Sequence, residues 1–473
     1  MDLAKLDAVA SAELVRTGQA SALEIVDAAI ARIEAADGSL NAIVHRRFDE
    51  ARREASCVDV AAPFAGTPML LKDVDLAGDP FFNGSEVFAR LNTRLAATDR
   101  FTERLQQAGC VILGRTNIPE FTSAPVTESK LHGPCRNPWD PTRTPGGSSG
   151  GAAAAVAARM TPAAQSSDGG GSSRIPASAT GLFTIKPGRG RVPLGPSGAS
   201  WVDITSAKGF LTRTVRDFAA LLDVVAGADP LETLAAPAPL RPFAREVGAP
   251  VGKLRIGVAR TPPGADCLLD PDALAAVDQA AALLADLGHE VEDAAPETFL
   301  SDESRAILNA YWPMKVAMRA VAAERALGRP LAEGDLEPLT LAMLRYARKR
   351  SMADVAALLL QIRDFSTRSL AWWRSGFDIL LTPSTGSVPP RIGALAGRDE
   401  PAKLAGYRWA SLAPFANITG QPAASVPLYW SPEGLPLGVQ LVADVWREDL
   451  LLRLSAQLEA ARPWAERTPP IHA

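Results

Sequence analysis

The segment TPGGSSGGAAAAVAARM, from Thr144 to Met160, constrains the fold more than any other stretch of the chain. Glycines flank Ser148 and Ser149, and an apolar alanine run begins directly behind them. A second cluster, QSSDGGGSSRIPAS, follows at 165–178. A flexible tether is one reading of such composition. Two tethers around one short helix would connect nothing, and the alanine helix over Gly151–Ala158 anchors the loop to a buried element. A phosphate-binding loop is a second reading, because glycines ahead of a helix expose N–H groups at the positive end of its dipole. That loop needs Lys and Ser/Thr directly after its last glycine, and alanines follow Gly151 here.

A third reading places a catalytic serine in the segment. Gly146-Gly147-Ser148-Ser149-Gly150 fits the GxSxG spacing of a nucleophile elbow, as does the frame shifted by one. An elbow sits directly behind a strand, yet CRNPWDPTRTP precedes it, and three prolines forbid a central strand. A Ser-His-Asp arrangement also lacks a suitable histidine. His472 is one residue from the C-terminus, and His289 reads as a strand edge after Gly288. With His45 and His132 these are the four histidines, and none stands at ligand spacing from another, so an HExxH zinc site is excluded and no metal is expected. A further version of the serine reading uses no histidine.

Net charge of −4, with Lys and Arg spread along 473 residues, leaves no basic footprint for nucleic acid or an anionic membrane. The cluster RYARKR at Arg345–Arg350 reads as the wet face of a helix. Cys57, Cys110, Cys135 and Cys267 lie far apart without CxxC spacing, so free thiols are expected. The N-terminal MDLAKLDAVASAELVRTG carries charges every few residues, and no apolar run reaches the ~18 residues that span a bilayer. The expectation is a soluble cytoplasmic protein with a substantial core, 47% of its residues being hydrophobic.

Residues 1–60 read as helices. Ser21 stands three residues before Glu24, a capping-box spacing, and Leu23, Val26, Ala29, Ile30 and Ile33 recur at helical intervals until Gly38. Strands are expected over 69–76, Cys110–Leu113, 253–260, around His289–Val291, and over 377–385 and 437–444. Helices are expected from 100 to the glycine stop at 109, from Pro271 to about Leu287, and over 447–461. This alternation argues for an α/β fold on a mixed, mostly buried sheet covered by helices on both faces. Residues 139–215 break the rhythm, with Gly151–Ala158 as the one clear helix, and 226–250 reads as a proline-rich surface excursion.

Six motifs together resemble the amidase signature hydrolases: LLKDV around Lys72, GRTNIPEF (114–121), GPCRNPWDPTRTPGGSSGGAAAAVAA (133–158), SDGGGSSRIPASATGLFTIKPGRGRVP (167–193), LLTPST (380–385) and NITGQPAASVPL (417–428). They span nearly the whole chain in the family's order. The resemblance implies the family fold, with 1–62 as a helical segment packed on a single domain at 63–473. The catalytic motifs fall at 66–193, and the second half of the sheet with the pocket helices at 250–465. It implies amide hydrolysis of a small molecule by a Ser–cis-Ser–Lys triad without a cofactor, in a monomer or homodimer. By motif the nucleophile falls on Ser172, the bridging serine on Ser148 and the base on Lys72. Gly169, Gly170 and Gly171 are implied to form the oxyanion hole, and an acyl-enzyme is the implied intermediate.

The residue types suit that chemistry. A serine hydroxyl needs an adjacent base, and a lysine becomes one when burial disfavours its charged form. Lys72 follows Met69-Leu70-Leu71 and precedes Val74 at the end of an apolar run, where the competing reading is a snorkelling strand-end lysine. Ser149 suits a helix N-cap, and Asp168 with Arg174 suits a structural pair bracing the second loop. Ser173 stands where the family carries an aliphatic residue, and Thr184-Ile185 replaces its Gly–aliphatic pair. The SDGGGS block and PWDPTRT lead-in look closest to the branch containing 6-aminohexanoate cyclic-dimer hydrolase and the mycobacterial-type amidases. Candidate pocket residues are Phe81, Phe82, Phe121, Ser123, Tyr311, Trp312, Tyr346 and Ile418, with core packing as the competing role. Two alternatives to a free amidase stay open: a glutaminase-type subunit of a tRNA-dependent amidotransferase, and a non-hydrolytic relative.

Overall fold

The computed structural model describes residues 2–72, 78–95, 97–196, 203–264, 269–395, 406 and 408–473. Asp73 to Leu76, expected as the end of a strand, and Cys267 lie outside the described residues. Five strands form one sheet in the spatial order Ile43–Arg46, Val111–Thr116, Pro68–Lys72, Ala163–Asp168 and Ala207–Thr212. Six form another in the order Glu290–Asp293, Arg255–Val258, Ile379–Pro383, Pro436–Ala443, Ala423–Trp430 and Thr184–Lys186. Both sheets mix parallel and antiparallel pairs. Their edges meet at the antiparallel bridge Phe183–Thr212, where the two residues exchange N–H···O bonds of 2.9 and 3.1 Å.

Successive side chains of a strand face opposite ways, and the core divides accordingly. Met69 and Leu71 pack with the helices Arg100–Gln107, Val215–Val225 and Glu448–Ala461, whereas Leu70 packs with the helices Ala22–Leu40 and Gly150–Ala157. Ile112 and Phe210 take the first side; Val111, Leu113 and Leu211 take the second. The sheet is covered by helices on both faces, which is the expected α/β architecture.

The capping box forms: Ser21 Oγ accepts the Glu24 N–H at 3.2 Å, and Glu24 accepts the Ser21 N–H at 2.7 Å. The helix does not stop at Gly38 but runs to Leu40 and ends at Asn41, whose φ is +52°. One glycine costs a helix only about 1 kcal/mol, and the buried Ala36, Asp37 and Leu40 outweigh it. Asp37 then accepts the N–H groups of Ala42 and Ile43 at 2.8 and 3.1 Å, turning the chain into the strand Ile43–Arg46, which the all-helical reading of 1–60 missed. Residues 139–215 also hold more than one helix. The strands Ala163–Asp168, Thr184–Lys186 and Ala207–Thr212 and the helix Arg174–Thr180 lie there. Their polar residues, Ser167 apart, are buried, so no alternation marks them in the sequence.

Candidate active site

Every residue of the strand Pro68–Lys72 is buried, and Lys72 ends it with no exposed surface. The Lys72 N–H donates to Gln165 Oε1 at 2.8 Å, fixing the strand end against the neighbouring strand. Its amine donates to Ser148 Oγ at 2.7 Å and to Ser167 Oγ at 2.9 Å. Lys72 is therefore not a snorkelling strand-end residue. Nothing in the sequence QSSD marks the segment of Ser167 as a strand. Seen as a strand, Gln165 and Ser167 are two apart and face one side, and both reach Lys72.

Ser148 follows a cis peptide bond to Gly147. This loop approaches other backbone closely. A Cβ on Gly147 would fall 2.6 Å from Val126 main-chain atoms, and one on Gly151 would fall 2.4 Å from Asn117 N and 2.5 Å from Ala42 O. Ser149 occupies the N-cap position of the helix Gly150–Ala157, but its side chain makes no capping bond. Its hydroxyl instead lies 3.4 Å from both the N–H and the C=O of Ser167, and its N–H donates to the Ser172 C=O at 3.2 Å. Ser149 thus ties the loop of Ser148 to the turn that carries Ser172.

That turn links the strand Ala163–Asp168 to the helix Arg174–Thr180, and Ser172 on it is 8% exposed. Gly171 has φ +117°, a conformation L side chains rarely adopt, and a Cβ there would fall 2.6 Å from Ala413 Cβ. Asp168 and Arg174 pair on the turn. Arg174 Nε donates to Asp168 Oδ2 at 2.9 Å and Nη2 to Oδ1 at 3.0 Å, with both side chains buried. Asn417 adds Nδ2 donations to Asp168 Oδ1 at 2.9 Å and to its C=O at 3.0 Å. Burial disfavours the Asp168 carboxylate, but the Arg174 charge and the hydrogen bonds from Arg174 and Asn417 outweigh it and hold the group well below the usual carboxylate range.

The carboxylate also takes the Gly171 N–H at 2.7 Å. Gly171 N–H, expected to face a substrate oxygen, therefore already has a charged acceptor. Among the described residues no acceptor is recorded for the N–H groups of Gly169, Gly170 and Ser172. Ser173, the departure beside the nucleophile position, donates its hydroxyl to Ser166 Oγ at 2.8 Å. Ser166 faces the opposite side of its strand from Ser167, so Ser173 is turned away from Lys72.

Of the pocket candidates, the structure brings Trp312 to the glycine turn. Trp312 ring atoms would lie 3.4 Å from a Cβ on either Gly169 or Gly170. Phe121 and Ile418 are fully buried in separate apolar clusters, Phe121 with Phe88 and Val316, Ile418 with Phe365 and Phe415. Ser123 donates to the Glu120 C=O at 2.6 Å, Tyr311 accepts the Ile204 N–H at 3.2 Å, and Tyr346 is exposed beneath Arg350. Phe81 and Phe82 pack edge-on against Phe88 and His132. Among the described residues no group of three or more His, Cys, Asp or Glu side chains is placed to hold a metal ion, and no helix is long and apolar enough to cross a membrane.

The Amidase family profile matches residues 24–452. The 6-aminohexanoate-cyclic-dimer hydrolase of Paenarthrobacter ureafaciens is 40% identical over 480 residues, covering 98% of this chain and 96% of that one. A solved structure of 6-aminohexanoate cyclic dimer hydrolase complexed with substrate superposes with a TM-score of 0.94 at 38% identity, covering the whole of both chains. The AmiC protein of Mycobacterium tuberculosis is 37% identical over 475 residues, covering 99% of this chain and 97% of that one. A bacterial aryl acylamidase of the amidase signature family superposes with a TM-score of 0.88 at 28% identity, covering 98% of this chain and 97% of that one.

Proposed function

The chain belongs to the amidase signature family and hydrolyses amide C–N bonds, and from that premise we propose that Ser172, Ser148 and Lys72 carry the reaction. Ser172 Oγ attacks the carbonyl carbon while its proton passes to Ser148 Oγ, and the Ser148 proton passes to an uncharged Lys72 amine. The oxyanion that forms is held by the N–H groups of Gly169, Gly170 and Ser172; one such donor is typically worth about 3 kcal/mol of barrier. The proton then returns along the same path to the leaving nitrogen, the C–N bond breaks, and an ester remains on Ser172. Water, losing its proton to the same relay, releases the acid.

The observation that carries this reading is the 2.7 Å contact between Lys72 Nζ and Ser148 Oγ, both buried, on the loop that Ser149 ties to Ser172. The substrate is a small amide, cyclic or linear, in keeping with the hydrolase of cyclic 6-aminohexanoate dimer that the chain resembles along its length. Esters and carbamates fit the same acyl chemistry.

The test is to purify this chain alone and offer the cyclic dimer of 6-aminohexanoate, nitroanilides, aliphatic amides and glutamine. Turnover without partners, with fluorophosphonate labelling that disappears in Ser172→Ala, is the expected result. Turnover retained by Ser172→Ala would defeat the assignment of the nucleophile. Ammonia release from glutamine alone, and only with partner chains, would replace a free amidase by an amidotransferase subunit.

A further inference from the structure

Another buried lysine stands behind the glycine turn, and the family reading gives it no role. Lys315, on the helix Glu303–Leu327, is 2% exposed. Its ammonium lies 3.0 Å from Asp203 Oδ2, donates to Ser206 Oγ at 2.7 Å and to Thr205 Oγ1 at 3.3 Å, and sits 4.7 Å from the centre of the Trp312 ring. Asp203 is itself fastened, accepting from Ser206 Oγ at 2.7 Å and from the Ser206 N–H at 3.2 Å. A charged amine this deep needs such partners, and they also fix where it lies.

Where it lies is against Gly169. A Cβ on that residue would fall 2.6 Å from Lys315 Nζ and 3.0 Å from Ser206 Oγ. Gly169 has no positive φ, so its backbone conformation does not call for glycine. Its lack of a side chain instead lets the ammonium reach the main chain. Asn417 joins this cluster to the one around Asp168, its Nδ2 donating to the Thr205 C=O at 3.0 Å as well as to Asp168. The turn is thus met at both ends: the Gly171 N–H is bonded by the Asp168 carboxylate, and Gly169 has the Lys315 amine packed against it.

We propose that Lys315 is a positioning residue for the reaction: packed on Gly169, it holds the Gly169 and Gly170 N–H groups where the carbonyl oxygen of the substrate develops its charge. The inference rests on the Ser172 reading above. It adds that the oxyanion donors are set from outside the motif, by a helix more than 130 residues further along the chain.

The experiment compares wild type, Lys315→Met, Gly169→Ala and the double variant. Active sites are counted by the endpoint of fluorophosphonate labelling, so that misfolded protein does not enter the rates. Lys315→Met is expected to lower kcat on the order of 10- to 100-fold while KM changes little, the effect of misplaced catalytic donors. Gly169→Ala is expected to lower kcat as well, since its methyl group meets the ammonium, and the double variant to lose less than the product of the two effects. Wild-type kcat in Lys315→Met, or multiplicative losses in the double variant, would overturn the proposal. If Lys315→Met does not fold, Asp203→Asn releases the ammonium while keeping its volume, and an unchanged kcat there would overturn it equally. If the wild type hydrolyses no amide, the Ser172 reading fails. Amide hydrogen exchange at 169–171 then decides for Lys315: faster exchange in the variant sustains its hold on the turn, and unchanged exchange removes it.

Discussion

Lys72 shows how much a single position can declare. A lysine at the end of a fully apolar run is uncommon unless paired or functional, and the structure pairs its amine with Ser148 and Ser167. Lys72→Met keeps the volume and removes the proposed base, so kcat on a nitroanilide is expected to fall by about 10²- to 10⁴-fold. Lys72→Arg should fail equally, because a guanidinium does not give up its proton near neutral pH. Steady-state rates normalised to protein concentration check both. The glycine-flanked Ser148 and Ser172 were legible for a related reason: small residues in that density mark backbone packed against backbone. Ser167 was not legible, because nothing in QSSD distinguishes a buried strand from a loop. Nor was the Gly171 N–H, whose bond to Asp168 depends on a turn geometry that residue types alone do not specify.

Among elements, the helix Gly150–Ala157 was read correctly in kind and nearly in extent, since eight small residues without a polar face suit only a buried helix. Its glycines are a separate matter. Alanine in place of a helix-interior glycine ordinarily stabilises by about 1 kcal/mol. At Gly151 the added Cβ would meet backbone atoms at 2.4 and 2.5 Å on two sides, and backbone cannot yield as a flexible side chain can. Gly151→Ala is therefore expected to lower the urea midpoint rather than raise it, and a raised midpoint would show that the loop relaxes. The strands Arg255–Val258, Ile379–Pro383 and Pro436–Ala443 were legible as apolar runs. Ile43–Arg46, four residues with two basic side chains, was not, because its place is set by Asp37 and by pairing with Val111–Thr116.

For the molecule as a whole, a cluster of carboxyls joins three distant segments. Asp217, on the helix Val215–Val225, accepts the Ala8 and Val9 N–H groups at 2.7 and 3.0 Å, and Glu459, on the helix Glu448–Ala461, accepts the Val215 N–H at 3.2 Å. Burial, with the charge of Asp7 added to it, pushes the Asp217 carboxyl up to about 7, and burial pushes Glu459 up to about 7. Both groups bind a proton more tightly folded than unfolded, where 3.8 and 4.5 are their ordinary values. Their contribution is complete below those values and is lost as pH rises through 7. Asp217→Asn should thus gain stability relative to the wild type as pH is raised from 5 to 8, which urea unfolding at several pH values measures; a constant difference would refute it. The order of the motifs and the α/β class were visible in the sequence at this scale. The division into two sheets was not, because the seam is set by the bridge Phe183–Thr212 and the Thr184 hydroxyl on the Phe210 C=O, contacts that no residue type announces. That bridge has a mechanical consequence. The chain leaves the first sheet at Asp168, carries Ser172, and enters the second at Thr184, while Lys72 stays in the first. Slippage along the seam would pull on the helix Arg174–Thr180 and so on the turn of Ser172, the proposed nucleophile, while Lys72, the proposed base, stays with the first sheet. Turnover should accordingly vanish at a denaturant concentration where circular dichroism still reports native helix.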